Sequence, residues 1–209
     1  MGNEHMERIT VYTREHFPIQ PDQAEVFHWL QCGGELPCRA AYEAAWDQAV
    51  RLLRQTAAPQ AAVLREEERH LIILLTLGSQ AENQASRLFW RQEYITGSLL
   101  NVLCDELLFQ MDRLASVLLQ RDLAKEGLSM TERAEPGFGL SVEDQRRSLI
   151  QMEHVMPDVR ISEHGMIFPA KSMMYRVTLS PQGCGNVLLH DCANCPQKDC
   201  LYRSVKEGS

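Results

Sequence analysis

His70-Leu71-Ile72-Ile73-Leu74-Leu75-Thr76-Leu77, followed at once by Gly78-Ser79, is the stretch on which the fold turns. Successive side chains of a strand leave on opposite sides, so a continuously apolar run of this length suits a strand inside a sheet covered on both faces. Gly78-Ser79 then breaks the strand and can cap a helix. Just upstream, residues 61–64 read as a partner strand across the charged turn Arg65-Glu66-Glu67-Glu68-Arg69.

Downstream, the pattern from Ser79 to Glu126 is helical, with an expected break near Gly97-Ser98. Its second part places Leu99, Leu100, Leu103, Leu107, Met111, Leu114, Val117 and Leu118 as a core stripe, and Gly127 terminates it. The segment Thr131 to Gly139 reads as a loop. Ser141 then caps a helix with Asp144 reaching back, and Pro157-Asp158 ends it. Short strands are expected at 159–162, 165–168, 173–180 and 186–190, separated by Pro169 and by Pro181-Gln182-Gly183.

Upstream, Pro21-Asp22 opens a short helix through Ala24, Val26, Phe27 and Leu30, closed by Gly33-Gly34. Pro37 starts a second helix with Tyr42, Ala45, Trp46, Ala49, Leu52 and Leu53 at helical spacing, ended by Ala57-Ala58-Pro59. The expected fold class is α+β, a curved antiparallel sheet with long helices packed on one face. Residues 1–58 form its helical N-terminal region, 59–183 the α+β domain and 184–209 a cysteine-rich tail.

Bulk properties narrow the function. Hydrophobic residues make up 44% of the 209 and charged residues 23%, enough for a real core. The formal net charge is −7 and no dense Lys/Arg block occurs, which argues against nucleic acid as a partner. Residues 1–6 lack an apolar signal-peptide core, and the run at 71–75 is too short to span a bilayer. The expected setting is cytoplasmic, with no membrane association.

Within the 131–139 segment the chemistry is richer than a turn requires. Pro136 fixes φ, Gly137 and Gly139 permit close backbone approach, and Arg133 offers a guanidinium fork for a carboxylate. Phe138 presents a flat face to a heterocycle or a sulfonium-bearing chain. Together they suit a zwitterionic nucleoside–amino acid such as S-adenosylmethionine.

Arg133-Ala134-Glu135-Pro136-Gly137-Phe138 resembles the Arg-x-x-Pro-Gly-Tyr signature of the activation domain of cobalamin-dependent methionine synthase, where this segment contacts S-adenosylmethionine. Ile161-Ser162-Glu163-His164 with Phe168-Pro169-Ala170-Lys171-Ser172 resembles that family's Leu-Thr-Glu-Ser…Trp-Pro-x-x-Ser block. The resemblance covers roughly residues 70–180 and is nearest to short, free-standing members, which also carry a Cys-x-x-Cys…Cys-x-Tyr-Arg tail, here Cys195 through Arg203. It implies S-adenosylmethionine contacts at Arg133, Ala134, Pro136, Gly137, Phe138, Glu163, Pro169 and Ser172. Two departures stand out: Phe138 replaces the family's Tyr, and Gly139-Leu140-Ser141 replaces Ala-Cys-Pro. Glu163 is open to pairing with Arg133 or to holding a ligand hydroxyl or ammonium. Asp105 and Glu106, in a mostly apolar helix, are either solvated or facing the cleft.

Seven cysteines, an odd number, do not make a closed disulfide framework. Cys32, Cys38 and Cys104 read as small buried hydrophobes. Cys184-x7-Cys192-x2-Cys195-x4-Cys200, with His190 beside them, offers four thiolates for zinc or an iron–sulfur cluster. Redox-active thiols and unligated cysteines are the competing readings.

The function implied is reductive reactivation of a corrinoid methyltransferase, methionine synthase foremost. S-adenosylmethionine would be presented to a corrinoid on a partner protein while an electron arrives from a donor such as flavodoxin or ferredoxin. Positioning would do the work, and the sequence has no Ser-His-Asp pattern, P-loop or paired catalytic carboxylates. Two alternatives stay open: a redox-sensing docking module without S-adenosylmethionine, and an iron–sulfur electron-transfer protein serving the corrinoid.

Overall fold

The computed structural model describes residues 9–31, 35–66, 69–181, 189–192, 195, 197–198 and 200–202. Cys32, Gly33-Gly34, Glu67-Glu68, Cys184 and most of the expected 186–190 strand lie outside them. The strands are β1 (Ile9–Tyr12), β2 (Gln60–Glu66), β3 (His70–Thr76), β4 (Ser129–Pro136), β5 (Gly139–Leu140), β6 (Arg160–Ile161), β7 (Ile167–Phe168) and β8 (Ser172–Ser180). The helices are α1 (Gln23–Leu30), α2 (Arg39–Thr56), α3 (Ser79–Trp90), α4 (Tyr94–Lys125) and α5 (Val142–Met152). The protein is α+β: a six-stranded sheet runs β1-β2-β3-β8-β4-β5, antiparallel except for the last pair, and β6-β7 form a separate ladder.

The apolar run at β3 behaves as its alternation demands. Leu71, Ile73 and Leu75 enter the larger core under α2, α3 and α4, while Ile72 and Leu74 enter a second core with Met152, Met156 and Val159. Fully burying each such side chain contributes about 1.5–3 kcal/mol, so this one strand ties both layers together. The long helices all lie on one face; α5 and the segment after it cover the other.

Local signals explain the helix ends. Asp22 accepts hydrogen bonds from the Ala24 and Glu25 backbone N–H groups at 2.9 and 3.2 Å, satisfying donors that α1 would leave orphaned. Ser141 does the same for Asp144 N at 3.0 Å before α5. Gly127 follows α4 at φ +70°, a left-handed conformation that suits glycine.

Several expectations are corrected. Ile9–Tyr12 is a strand paired with β2, so the N-terminal region is not wholly helical. The helical break falls at residues 91–93, where Gln92 takes φ 63°, and Gly97 lies inside α4. A Cβ on Gly97 would sit 3.3 Å from Leu88 Cβ and 3.4 Å from the Phe89 ring, so this glycine lets α3 and α4 approach rather than ending a helix. Val117 is half exposed; the stripe continues through Ala115, Leu119 and Leu123, each four residues beyond the last inward position. Cys38 is exposed at the start of α2, whereas Cys104 is buried and burial pushes its thiol up to about 12, leaving it inert.

The segment 131–139 is a strand and a tight turn, not a loop. β4 pairs antiparallel with β8 through Arg133↔Val177 and Ala134↔Arg176, after a register shift between Met130 and Glu132. Its end folds back where Glu135 and Phe138 exchange backbone hydrogen bonds of 2.9 and 2.7 Å. Pro136-Gly137 occupies the turn, Gly137 at φ +80°, the order a type II turn favours. The strand is polar because its α4-facing side chains border a cavity instead of a dry core.

Candidate functional site

A cavity of about 440 Å³ opens between α4, the end of β4, the start of β8 and the C-terminal tail. Its inner wall carries Phe109, Asp112 and Arg113 from α4, Arg133 and Glu135 from β4, and Ser172 and Met173 from β8. Its outer wall comes from Trp29 at the end of α1 and from the tail residues Leu189, His190, Cys192, Cys195, Gln197, Cys200 and Tyr202.

Arg133 anchors the inner wall. Its guanidinium Nη1 donates to both oxygens of Asp112 at 3.0 and 2.8 Å, and its Nε donates to Glu135 Oε1 at 2.7 Å. The group also lies 3.7 Å from the centre of the Tyr175 ring, within cation–π range. The side chains of Arg133 and Asp112 are each only 5% exposed, so this is a buried pair whose geometry has to offset desolvation. Burial opposes the charge on Arg133, but Asp112, Tyr175 and Glu135 outweigh it and hold its pKa above the ordinary value. The fork is therefore already engaged with protein carboxylates.

Glu135 links this wall to the tail. Its second oxygen, Oε2, lies 2.6 Å from His190 Nδ1. An ionised carboxylate only accepts, so Nδ1 carries the proton in that contact. Further along, Tyr202 Oη donates to Asp105 Oδ2 at 2.6 Å, while Lys171 Nζ donates to Asp105 Oδ1 at 2.7 Å. The Tyr202 ring stands edge-on to Trp29, with centroids 4.9 Å apart, and 5.3 Å from Phe109. Described residues of the tail thus close the cavity through polar contacts, His190 to Glu135 and Tyr202 to Asp105 among them, and through an aromatic cluster.

No family model matches the chain, and no curated protein matches it. A crystal structure of the MetH reactivation domain bound to AdoHcy does match, at 11% identity and a TM-score of 0.60 over 84% of this chain and 79% of that one. The chain has the fold of that reactivation domain.

Within the reactivation-domain fold, the cavity gathers Arg133, Pro136, Phe138 and Ser172 from the predicted set. Phe138 is 55% exposed, its ring on the cavity's rim. Ser172 shares a 2.8 Å hydrogen bond with Thr76 across β3. Gly137 sits at the tip of the turn, and Ala134 faces the second core. Glu163 does not reach Arg133; its side chain is 83% exposed beside His164. Pro169 is buried outside the cavity after a cis Phe168–Pro169 bond.

Cys192, Cys195 and Cys200 all line the cavity. Among the described residues, however, no group of three or more His, Cys, Asp or Glu converges to hold a metal ion. The described residues therefore give the metal reading no support, and Cys184 lies outside them. Among the described residues, no helix is long and apolar enough to cross a membrane.

Sequence reasoning missed Trp29, Phe109, Asp112 and Arg113. Asp112 had a signal: it stands four residues after Leu108 and three before Ala115, on the buried side of α4, where an acid needs a cationic partner. Asp105 faces Lys171 and Tyr202. Glu106, 1% exposed, points toward α1, and burial raises its carboxyl to about 7.

Proposed function

We propose that the chain is a reactivation accessory of a corrinoid methyltransferase, methionine synthase foremost, and holds S-adenosylmethionine in the cavity beside the Pro136-Gly137 turn. One observation carries this reading. The segment whose sequence resembles the family's ligand-contacting signature lines a cavity in a chain whose fold is shared with a reactivation domain bound to AdoHcy. The volume, about 440 Å³, lies in the range of small-molecule sites.

The residues fit such a ligand with one adjustment. Because Arg133 is committed to Asp112 and Glu135, it acts as a scaffold, and Arg113 is the lining cation that takes the ligand's carboxylate. Phe138 and Trp29 offer aromatic surface to the nucleoside, and the Pro136-Gly137 turn brings backbone close to it. When bound, S-adenosylmethionine supplies an activated methyl group to a corrinoid carried by the partner. The chain's task is to orient that donor and exclude water, which lowers the barrier by proximity without any side-chain base.

In this reading the expected domain 59–183 carries most of the site, Glu25 and Trp29 of the expected N-terminal region add to its lining, and described residues of the tail between 189 and 202 cover it. The partners are a corrinoid protein and an electron donor of the flavodoxin or ferredoxin type, in the cytoplasm. Titration calorimetry with S-adenosylmethionine is the first test, and saturable binding near one equivalent is expected. An oxidised corrinoid methionine synthase supplied with reduced flavodoxin and S-adenosylmethionine should then regain activity faster when the chain is added. Absence of both the binding and the faster recovery would sink the reading.

A further inference from the structure

On the inner wall one guanidinium, Arg133, is shared by two carboxylates, Asp112 and Glu135, so that trio carries one negative charge in excess; Arg133 and Asp112 are buried and Glu135 is partly buried. Counting the ionised lining side chains gives the same sign: Glu25, Asp112 and Glu135 against Arg113 and Arg133. The oxygen left over is Glu135 Oε2, and the tail brings His190 to it at 2.6 Å. The rings of Trp29, Phe109, Phe138 and Tyr202 line the same cavity. Aromatic faces combined with a partly buried carboxylate form the surroundings in which organic cations are recognised, because a ring's negative face and a fixed charge both attract a weakly hydrated cation.

We propose that Glu135 is the cavity's receptor for an organic cation, a sulfonium or ammonium centre, and that His190 is the internal group which the ligand's cation displaces. The proposal builds on the S-adenosylmethionine reading but reaches a residue outside the inferred contact set. Where the occupant is the sulfonium, it also implies a means of product release. When a sulfonium gives its methyl group to a nucleophile, the electron pair of the broken C–S bond stays on sulfur, and the product is a neutral thioether. The attraction to Glu135 then falls, and His190 can return.

The test uses the full chain as wild type, Glu135→Gln and His190→Ala. Each is titrated with S-adenosylmethionine, with S-adenosylhomocysteine, which is neutral at sulfur, and with 5′-methylthioadenosine, which has no cationic centre. Glu135→Gln should weaken S-adenosylmethionine by about tenfold or more, the scale of a lost charge-assisted contact, and leave methylthioadenosine within about twofold. An equal loss for S-adenosylhomocysteine identifies the ammonium as the occupant; a smaller one identifies the sulfonium. His190→Ala, a tail change that leaves the sheet intact, should tighten the charged ligand by about threefold or more, because a competitor is removed. Unchanged S-adenosylmethionine affinity in Glu135→Gln, or a parallel loss for methylthioadenosine, overturns the proposal, as does weaker binding in His190→Ala. If the wild type binds no nucleoside, the site reading fails on its own. Trimethylsulfonium, followed through the His190 imidazole NMR signals, then decides this one: a shift lost in Glu135→Gln upholds it, and no shift overturns it.

Discussion

The two walls of the cavity are built by different means. The inner wall is secondary structure throughout: α4, β4 and β8 carry it, and its charged centre, Arg133 with Asp112, is 95% removed from solvent. The outer wall is irregular tail, held by His190 on Glu135, Tyr202 on Asp105 and a ring cluster with Trp29. The inner wall's contacts form part of the cooperative core and open only with it. The outer wall's contacts include the partly exposed His190–Glu135 pair, the kind that local opening breaks well below the global unfolding free energy. A ligand site needs both: a fixed surface to set geometry and a detachable one to admit the ligand.

The sharpest way to break this contrast is to remove one charge from each wall. Arg133→Ala strands Asp112 in a buried site and should cost about 3–5 kcal/mol of stability, the usual penalty for an unpaired buried charge. His190→Ala should stay within about 0.5 kcal/mol of wild type, as changes away from packed features do. Urea unfolding monitored by circular dichroism reads both. Comparable losses in the two variants would mean that the tail is part of the cooperative core.

A pH effect separates two carboxylates on α4 itself. Asp112 has a guanidinium; Glu106 has Gln110 on one oxygen and, among the described residues, no hydrogen-bond partner on the other. Desolvation raises Glu106 to about 7, while hydrogen bonds from Gln110 and the Asp22 backbone and the charge of Arg113 only partly oppose it. The folded protein thus holds this proton more tightly than the unfolded chain does. The stabilisation is fully present below the unfolded glutamate value near 4.5 and is lost as pH rises to about 7. The loss is on the order of 2–3 kcal/mol over that window. Glu106→Gln should flatten the melting temperature against pH between 4.5 and 7; an unchanged slope would assign the effect elsewhere.

Tyr202→Phe probes the outer wall more gently. The ring stays against Trp29 while the bond to Asp105 goes, at about 0.5–1.5 kcal/mol for a net hydrogen bond. If the outer wall opens on its own, that loss should appear as faster amide exchange at residues such as His190, Cys192 and Tyr202, with the global unfolding midpoint unmoved.

How far the walls could be read from sequence follows the same division. β3, α2, α4 and the caps at Asp22 and Ser141 were legible because they follow from periodicity and from orphaned backbone donors, which are local. The motif at 133–138 was legible as a site, but its secondary structure was not: Arg133 and Glu135 are polar on an inward face because they border a cavity, and periodicity reads polarity as loop. The partnership of Arg133 with Asp112 spans 21 positions and two elements. It required knowing that β4 lies over α4. Glu163 was expected at the site because it shares a block with Ser172. The β6–β7 excursion takes it to the surface, a tertiary matter that spacing alone does not encode.

The smallest expected change falls on the rim, where the two walls meet. Phe138 stands where the resembled family has tyrosine, and its ring is 55% exposed. A buried ring would make Phe138→Tyr costly, because a hydroxyl placed in a dry core without a partner is penalised by a few kcal/mol. On an exposed rim the para position meets water or ligand, so stability should stay within about 0.5 kcal/mol of wild type. If the cavity takes a nucleoside, the added hydroxyl can donate to it and tighten binding by about 0.5–1.5 kcal/mol. Calorimetry with S-adenosylmethionine, paired with thermal melts, separates the two effects. Unchanged melting with tighter binding places the ring at the ligand. Unchanged melting with unchanged binding places it beside the path into the cavity, and the inner wall alone then sets the ligand's geometry.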